Sequence, residues 1–401
     1  MSRSGTHQRF SIEASNFFKK CLEVIISKMI ENTKQIDTEI LKPFPNVKIV
    51  DSSSWDVSPE LKEIFGGFGG DASDANCKVQ FMYEYKSASI LMVEETRGNM
   101  PDQRYSKNIA SLINKDELLL TDLGYWQFDT FYEVVQRGGY FLSRLNTQVN
   151  IWHKTEGDYK KLKIENLIYN QMSNSIEVEV FLRKNDTDQD IAVRIVGFRM
   201  SEEVANKRRM KLRKEAKKKG RVPTDRSMKL CDWSFFVTNA PEHLIPSEKI
   251  HIVYRIRWSI ELVFKSWKSV LRVHLSNIRR NHNRLRCELY AKLILATIVH
   301  MIYNRLKFYA WHKKRKEISL YILWQFIISR AESLHKTIRV SVDRFLRKIN
   351  RLLPLMIKTC EKNHQVSRKT TLQLIDEPSN TPKPKKLTLK DLEVLEVSCL
   401  T

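Results

Sequence analysis

The stretch HIVYRIRWSIELVFKSWKSVL, residues 251–271, decides how this chain is read. Tyr254, Arg257, Glu261 and Lys268 stand at offsets of 3, 7 and 14 residues, and at about 100° per residue a helix gathers all four within an arc of roughly 60°. Val253, Ile256, Ile260, Val263, Phe264, Trp267 and Leu271 fall on an adjacent arc of about 100°, the width of a face packed on a core. The spacing predicts one helix with a buried face and a working face. Glu261 is the informative member. Ringed by Arg257, Lys265, Lys268 and Arg272, it has the chemistry of a metal ligand among phosphate contacts. The alternative is a solvated stripe on an amphipathic helix, and only partners for Glu261 elsewhere in the chain decide between them.

The chain has 401 residues, 42% of them hydrophobic, enough for a large core and, by length, for two or three domains. Lysine and arginine number 69 against 46 acidic residues, a formal charge of +23. Such a surface neutralises phosphates and releases counterions, so nucleic acid is the expected partner. An anionic membrane ranks below it, because no lipidation signal accompanies the basic segments. The longest apolar run, near Leu293 to Tyr303, is broken by His300 and too short to span a bilayer, and no secretory leader pattern is present. The six cysteines form no C-x-x-C pair and have no histidines at zinc spacing, which predicts a reduced, cytoplasmic chain without structural zinc. No nucleophile with a base at recognisable spacing speaks for a serine or cysteine hydrolase.

Along the chain, residues 10–32 have helical periodicity, with Ser11 as a cap. VKIVDSSSW is a strand entering a polar turn at Asp51, and 78–85 and 87–94 read as a hairpin. A helix over 103–114, the strand ELLLTD ending at Asp122, a helix over 128–137 and the strand YFLSRL follow. Residues 146–239 alternate in short β runs, interrupted by the basic helical excursion EEVANKRRMKLRKEAKKKGRVP, which reads as either a solvated face or a DNA-backbone contact. WSFFVTNAP closes that module as an apolar strand. Long helical stretches follow around 284–310 and 318–358, and the last residues are expected to be loose.

The order strand with Asp51, hairpin, helix, strand with Asp122, helix, strand, β insertion, helix with Glu261 lets three carboxylates converge on one edge of a mixed sheet. Hard divalent cations take oxygen ligands, and two of them about 3.5 to 4 Å apart serve in-line displacement at phosphorus. A strand-end aspartate can instead cap its own turn, and that reading stands beside the metal-ligand one for Asp51 in DSSS. Asp56 is a competitor lying past the strand. Asp122 closes a run, LLLT, that should be buried.

Taken together, these residues carry a resemblance. Y-x-x-R-x-x-x-E-x-x-x-x-x-x-K at Tyr254, Arg257, Glu261 and Lys268 resembles the YREK signature of the insertion sequence 4 family of DDE transposases. TDLGYW around Asp122 and KIVDSSSW around Asp51 resemble that family's aspartate motifs, and WSFFVTN the strand leaving its β insertion. The similarity covers roughly residues 40–310. It implies an α/β fold: a ribonuclease-H-like mixed sheet flanked by helices, with a mostly β insertion and a helical C-terminal region. The implied divisions are a short helical DNA-binding arm (1–45), the first part of the catalytic core (46–145), the insertion (146–240), the completion of the core (241–310), a helical region (311–375) and a loose tail (376–401). Relatives usually carry a longer helical N-terminal region, so the arm is expected to be truncated.

The resemblance further implies that Asp51, Asp122 and Glu261 are catalytic and hold two Mg²⁺ ions, with Mn²⁺ as substitute. Arg257 and Lys268 would hold phosphates near the cut end, and Tyr254 the same backbone; a bidentate guanidinium and a mobile ammonium suit these tasks. Lys265 would join them. Trp233 has two readings, a stack on an extruded base and a core tryptophan opening an apolar strand. The partners implied are the element's terminal repeats and target DNA, bound by a homodimer on paired ends in a prokaryotic, nucleoid-associated setting. Two other functions stay open at this point: a truncated or repurposed DNA-binding protein without catalysis, and a metal-dependent nuclease of the same fold.

Overall fold

The computed structural model describes residues 9–70, 72–155, 158–168, 172–184, 187–362, 369–378, 381–388 and 391. In chain order these form α1 (Ile12–Glu31), β1 (Val47–Asp56), β2 (Asn76–Glu84), β3 (Ser89–Arg97), α2 (Asp102–Ala110), β4 (Leu118–Thr121), α3 (Phe128–Gln136), β5 (Tyr140–Arg144), β6 (Ile151–Lys154) and β7 (Tyr159–Leu162). There follow α4 (Ile164–Ile168), β8 (Ser175–Arg183), β9 (Asp190–Arg199), α5 (Glu202–Lys218), α6 (Asp225–Leu230), β10 (Trp233–Thr238), α7 (Ile250–Arg255) and α8 (Trp258–Ser266). The C-terminal elements are α9 (His282–Lys314), α10 (Leu320–Ile328), α11 (Ala331–Val340), α12 (Val342–Cys360), α13 (Thr371–Asp376) and β11 (Lys385–Lys386). This is a mixed α/β chain whose strands pair mostly antiparallel and are flanked by helices. It packs as two compact units, Met1–Lys42 with Asn46–Pro101 and Ile256–Gln373, and Pro43–Pro45 with Asp102–Arg255 and Leu374–Thr401.

In the first unit β1, β2 and β3 form an antiparallel sheet. Val47 to Val50 are buried, while Asp51 to Ser54 emerge from the core, so one strand carries both a packing half and a polar half. Asp51 lies opposite Phe81 in the β1–β2 register, and opposed residues of an antiparallel pair share a face. Phe81 meets Phe264 and Trp267 with ring centroids 5.5 and 4.7 Å away. That aromatic contact seats α8 on the face of the sheet that bears Asp51.

A buried polar network joins the β2–β3 turn to α9. The Glu84 carboxylate accepts from the amides of Val47 and Lys86 at 3.0 Å each and from that of Ser87. His300 Nδ1 lies 3.2 Å from the Ala88 carbonyl, and Lys307 donates to the Tyr85 carbonyl. Burial pushes His300 down to about 4 and Lys307 down to about 8. Their hydrogen bonds hold these groups in place, although His300 Nε2 is buried without a hydrogen-bond partner among the described residues. The stretch expected as helical over 318–358 is three helices, parted at Ser329–Arg330 and Ser341. Ser341 is extended and its side chain accepts from Arg344 N at 3.1 Å, ending one helix and capping the next.

In the second unit the strand order is β4-β5-β10-β9-β8-β6-β7. β4 and β5 are parallel, joined through α3, and the other neighbours on this path are antiparallel. Phe131 of α3 stacks on Phe141 of β5 at 4.2 Å and 15°. Gly138, at φ +75, supplies the left-handed turn that lets the chain leave α3 and enter β5 at once. The tail differs from its expected looseness: Lys385 and Lys386 pair in parallel with Ile176 and Glu177 of β8, and Leu387 N donates to Glu177 O at 2.8 Å. The remainder of the expected tail lies largely outside the described residues. Among the described residues no helix is long and apolar enough to cross a membrane.

Candidate active site

The 251–271 stretch is not the single helix its periodicity predicts. Ile256 and Arg257 form a turn between α7 and α8, with Ser259 N bonded to Ile256 O at 2.9 Å and Ile260 N to Arg257 O at 3.1 Å. After Ser266 the backbone widens into a π segment, Trp267–Leu271. Neither change is announced by glycine or proline, and each breaks the 100° step on which the four-residue stripe was built. The buried face survives: Val253, Ile256, Ile260, Val263 and Trp267 are each at most 2% exposed. Tyr254 belongs to the second unit, where it is half-buried with its ring 5.2 Å from that of Phe236.

Arg257 does meet the first aspartate and links it to Glu261, and Lys268 lines the same cavity. Arg257 Nη1 donates to Asp51 Oδ2 at 3.0 Å and Nη2 to Glu261 Oε1 at 2.7 Å, so one guanidinium joins two carboxylates. Glu261 sits in the first turn of α8, where the helix dipole favours a negative group. The second oxygen of Asp51 takes the Ser52 amide at 2.8 Å. Lys268 donates to the Ser54 carbonyl at 3.2 Å, and burial of its stem and head lowers its pKa from the ordinary lysine value. Asp51, Glu261, Lys265 and Lys268 line a cavity of about 510 Å³, with Ser52, Phe264, Ser269 and His274 completing the wall. Lys265 is exposed at its rim.

His274 and Ser269 were not legible as site residues. His274 reaches the wall because Arg272 takes a left-handed conformation, φ +50, and turns the chain back after the π segment. Its only sequence signal is the lone histidine itself, which has no fixed spacing to the acids.

Asp122, in the second unit, caps the turn after β4 by accepting from Gly124 N at 2.8 Å. A Cβ placed on Gly124 would meet Asp122 Oδ1 at 3.1 Å and Asp102 Oδ2 at 3.5 Å, so both carboxylates flank one glycine. Trp233 needs correcting as a base-stacking residue. It is 4% exposed in β10, stacked on Phe235 at 6.0 Å and 15°, with the Arg199 guanidinium 5.4 Å from its ring centre. Its faces are spent on packing.

The donor set of the cavity, two part-buried carboxylates open to one space, suits a hard divalent cation that completes its shell with water and substrate phosphate oxygens. Among the described residues no group of three His, Cys, Asp or Glu side chains stands ready as a metal site. A cationic guanidinium between the two carboxylates already shows that the space favours positive charge. The model of the transposase DDE domain matches residues 42–298, a span that holds β1, β4 and α8 with their acids. The chain belongs to the transposase DDE domain family. It is a DDE transposase, and its family's chemistry on DNA depends on divalent metal in general.

Similar transposases support the assignment over most of the length. The transposase for insertion sequence element IS231E of Bacillus thuringiensis subsp. finitimus is 27% identical over 391 residues, covering 94% of this chain and 81% of that protein. The transposase for IS231B of Bacillus thuringiensis subsp. berliner is 26% identical with the same coverage. The transposase for IS1151 of Clostridium perfringens is 24% identical over 334 residues, 80% of this chain and 70% of its own.

Proposed function

We propose that this transposase cuts DNA at the ends of an insertion sequence of the insertion sequence 4 type and joins the freed 3′ hydroxyls to a target, with Asp51, Asp122 and Glu261 as catalytic acids on a ribonuclease-H-like core. The observation that carries the reading is the meeting of Asp51 and Glu261 at Arg257 in a lysine-lined cavity. In each step an oxygen nucleophile, first water and then the 3′ hydroxyl, attacks phosphorus in line as the bond to the departing oxygen breaks. Two bound Mg²⁺ ions, or Mn²⁺ in their place, would activate the nucleophile and stabilise the leaving oxygen.

The chain's own residues do the rest. Asp51 and Glu261 give oxygen ligands once Arg257 releases them. Arg257 then presents a planar fork to phosphate, which it binds in the same bidentate geometry it uses for carboxylate. Lys268, held by the Ser54 carbonyl at the cavity wall, offers phosphate a mobile point charge, and Lys265 and Tyr254 extend the backbone contact. A homodimer holding paired ends at the nucleoid completes the reading.

The test is incubation of purified protein with DNA bearing the sequences that flank its gene, with Mg²⁺ or Mn²⁺, beside a Glu261→Gln control. Metal-dependent nicked and joined products absent from the control are expected. Nicks without joined strands would make the protein a nuclease of this fold, and binding without products a non-catalytic DNA binder.

A further inference from the structure

We propose that the C-terminal half of α5 with the turn that follows it, from Arg213 to Arg221, is a separate DNA contact that grips the duplex phosphate backbone without reading sequence; this rests on the transposase reading above. The helix is divided in two. Its first half is held to the protein: Arg208 donates to Trp233 O and Ser234 Oγ at 2.8 Å each, Ala205 is 1% exposed, and Arg209 bridges Glu202 and Asp232. The lysines there have acids at the i,i+4 spacing, Lys207 with Glu203 and Lys211 with Glu215.

Beyond Glu215 the pattern stops. The next acid in sequence is Asp225, and Lys217, Lys218, Lys219 and Arg221 intervene. The side chains of Arg213, Lys214, Lys217 and Lys218 are all exposed and have no hydrogen bond or ion pair among the described residues. They span an arc of about 140°, opposite the arc of Ala205, Arg208, Leu212 and Ala216 that faces the protein. Like charges at this spacing repel, and the helix dipole offsets only part of that at the C-terminus. An anionic partner removes the repulsion.

The tip is also held in shape rather than frayed. Gly220 at φ +62 closes the helix, Arg221 N bonds to Ala216 O at 2.9 Å, and Thr224 caps α6 just beyond. From Arg213 to Lys218 the helix rises about 7.5 Å, a length over which duplex DNA presents about four phosphate charges. An interfacial membrane helix would need a broad apolar face, whereas this face exposes Met210 as its large apolar side chain.

The experiment compares the full chain with a variant carrying Arg213→Gln, Lys214→Gln, Lys217→Gln and Lys218→Gln, by anisotropy of a labelled duplex between 50 and 200 mM salt, with thermal melts of both. The expected result is a logarithmic salt slope shallower by about 3 to 4, so that the wild type's advantage shrinks roughly a hundredfold across that range, on cut ends and internal duplex alike and with an unchanged melt. Parallel slopes overturn the proposal, as does an equal change from Lys207→Gln with Lys211→Gln in the held half. Should the fourfold variant melt early, Lys217→Gln with Lys218→Gln carries the test through a slope change of about 2. A wild type that binds no duplex sinks the transposase reading as well; a wild type that binds, with an unaltered variant slope, sinks the tip alone.

Discussion

Arg194 and Arg257 make nearly the same bond in opposite surroundings. Arg194 of β9 reaches Glu177 of β8 at 2.8 Å, and Arg257 reaches Glu261 at 2.7 Å. Around the first pair everything is closed: the side chains are 8% and 2% exposed, and the guanidinium also donates to Ala240 O, Ile245 O and Ser247 Oγ at 2.9 Å each. That arginine ties the segment after β10 to the sheet. Around the second pair a cavity opens, Glu261 is 34% exposed, and a second carboxylate shares the same cation. An ion pair with no replacement partner in reach is architecture. One that borders an open cavity can exchange its partners, as the proposed function requires of Asp51, Glu261 and Arg257.

The contrast breaks first at Glu261. Glu261→Gln removes a proposed metal ligand and a negative charge, so cleavage should fall by roughly 10³ or more, about 4 kcal/mol of barrier, while duplex binding holds or tightens and the melt barely moves. Loss of binding along with cleavage would return Glu261 to the structural class of Glu177. Arg194→Ala should do the reverse, leaving Glu177 buried and unpaired at a cost of about 3–5 kcal/mol in denaturant unfolding. A near-native midpoint would show that the closed pair is as dispensable to the fold as the open one.

Protonation separates the core from the cavity in another way. His300 is held at about 4 by burial, against the usual 6.5. Below about pH 6.5 the unfolded chain takes a proton that the folded chain refuses, so stability should decline from there and level off near pH 4, by roughly 3 kcal/mol at the limit. A His300→Gln protein should lose that limb in pH-dependent unfolding, whereas Glu261→Gln should retain it. The smallest effects belong to the proposed phosphate contacts. Arg257→Ala and Lys268→Ala should each weaken binding to cut ends about tenfold, near 1.4 kcal/mol, and binding to internal duplex less. Equal losses on both substrates would make them generic backbone contacts.

Much of this was readable in the chain because local chemistry marks it. Ser11 stands as a cap where α1 begins, and LLLT is a fully buried strand as its composition demands, whereas the capping breaks at Ser319 and Ser341 showed only in the structure. Glu261 was legible as an acid among cations. The turn at Ile256–Arg257 and the π segment were not, since no residue there forbids a regular helix; tertiary packing of Trp267 on Phe81 accompanies the departure. Trp233 could be either platform or core on paper, and only its neighbours Phe235 and Arg199 show how its faces are used. His274 depends on a left-handed Arg272 that no propensity foretells.

By itself, then, the amino-acid order determined membership among the DDE transposases, the candidate carboxylates and the charge that calls for DNA, because residue type and spacing along one chain carry that information. Which acid shares a cation with which, and which arginine is closed in or left open, were decided only by the tertiary structure. Those properties depend on desolvation and on partners more than 200 residues apart, as Asp51 and Arg257 are, and no local pattern encodes them.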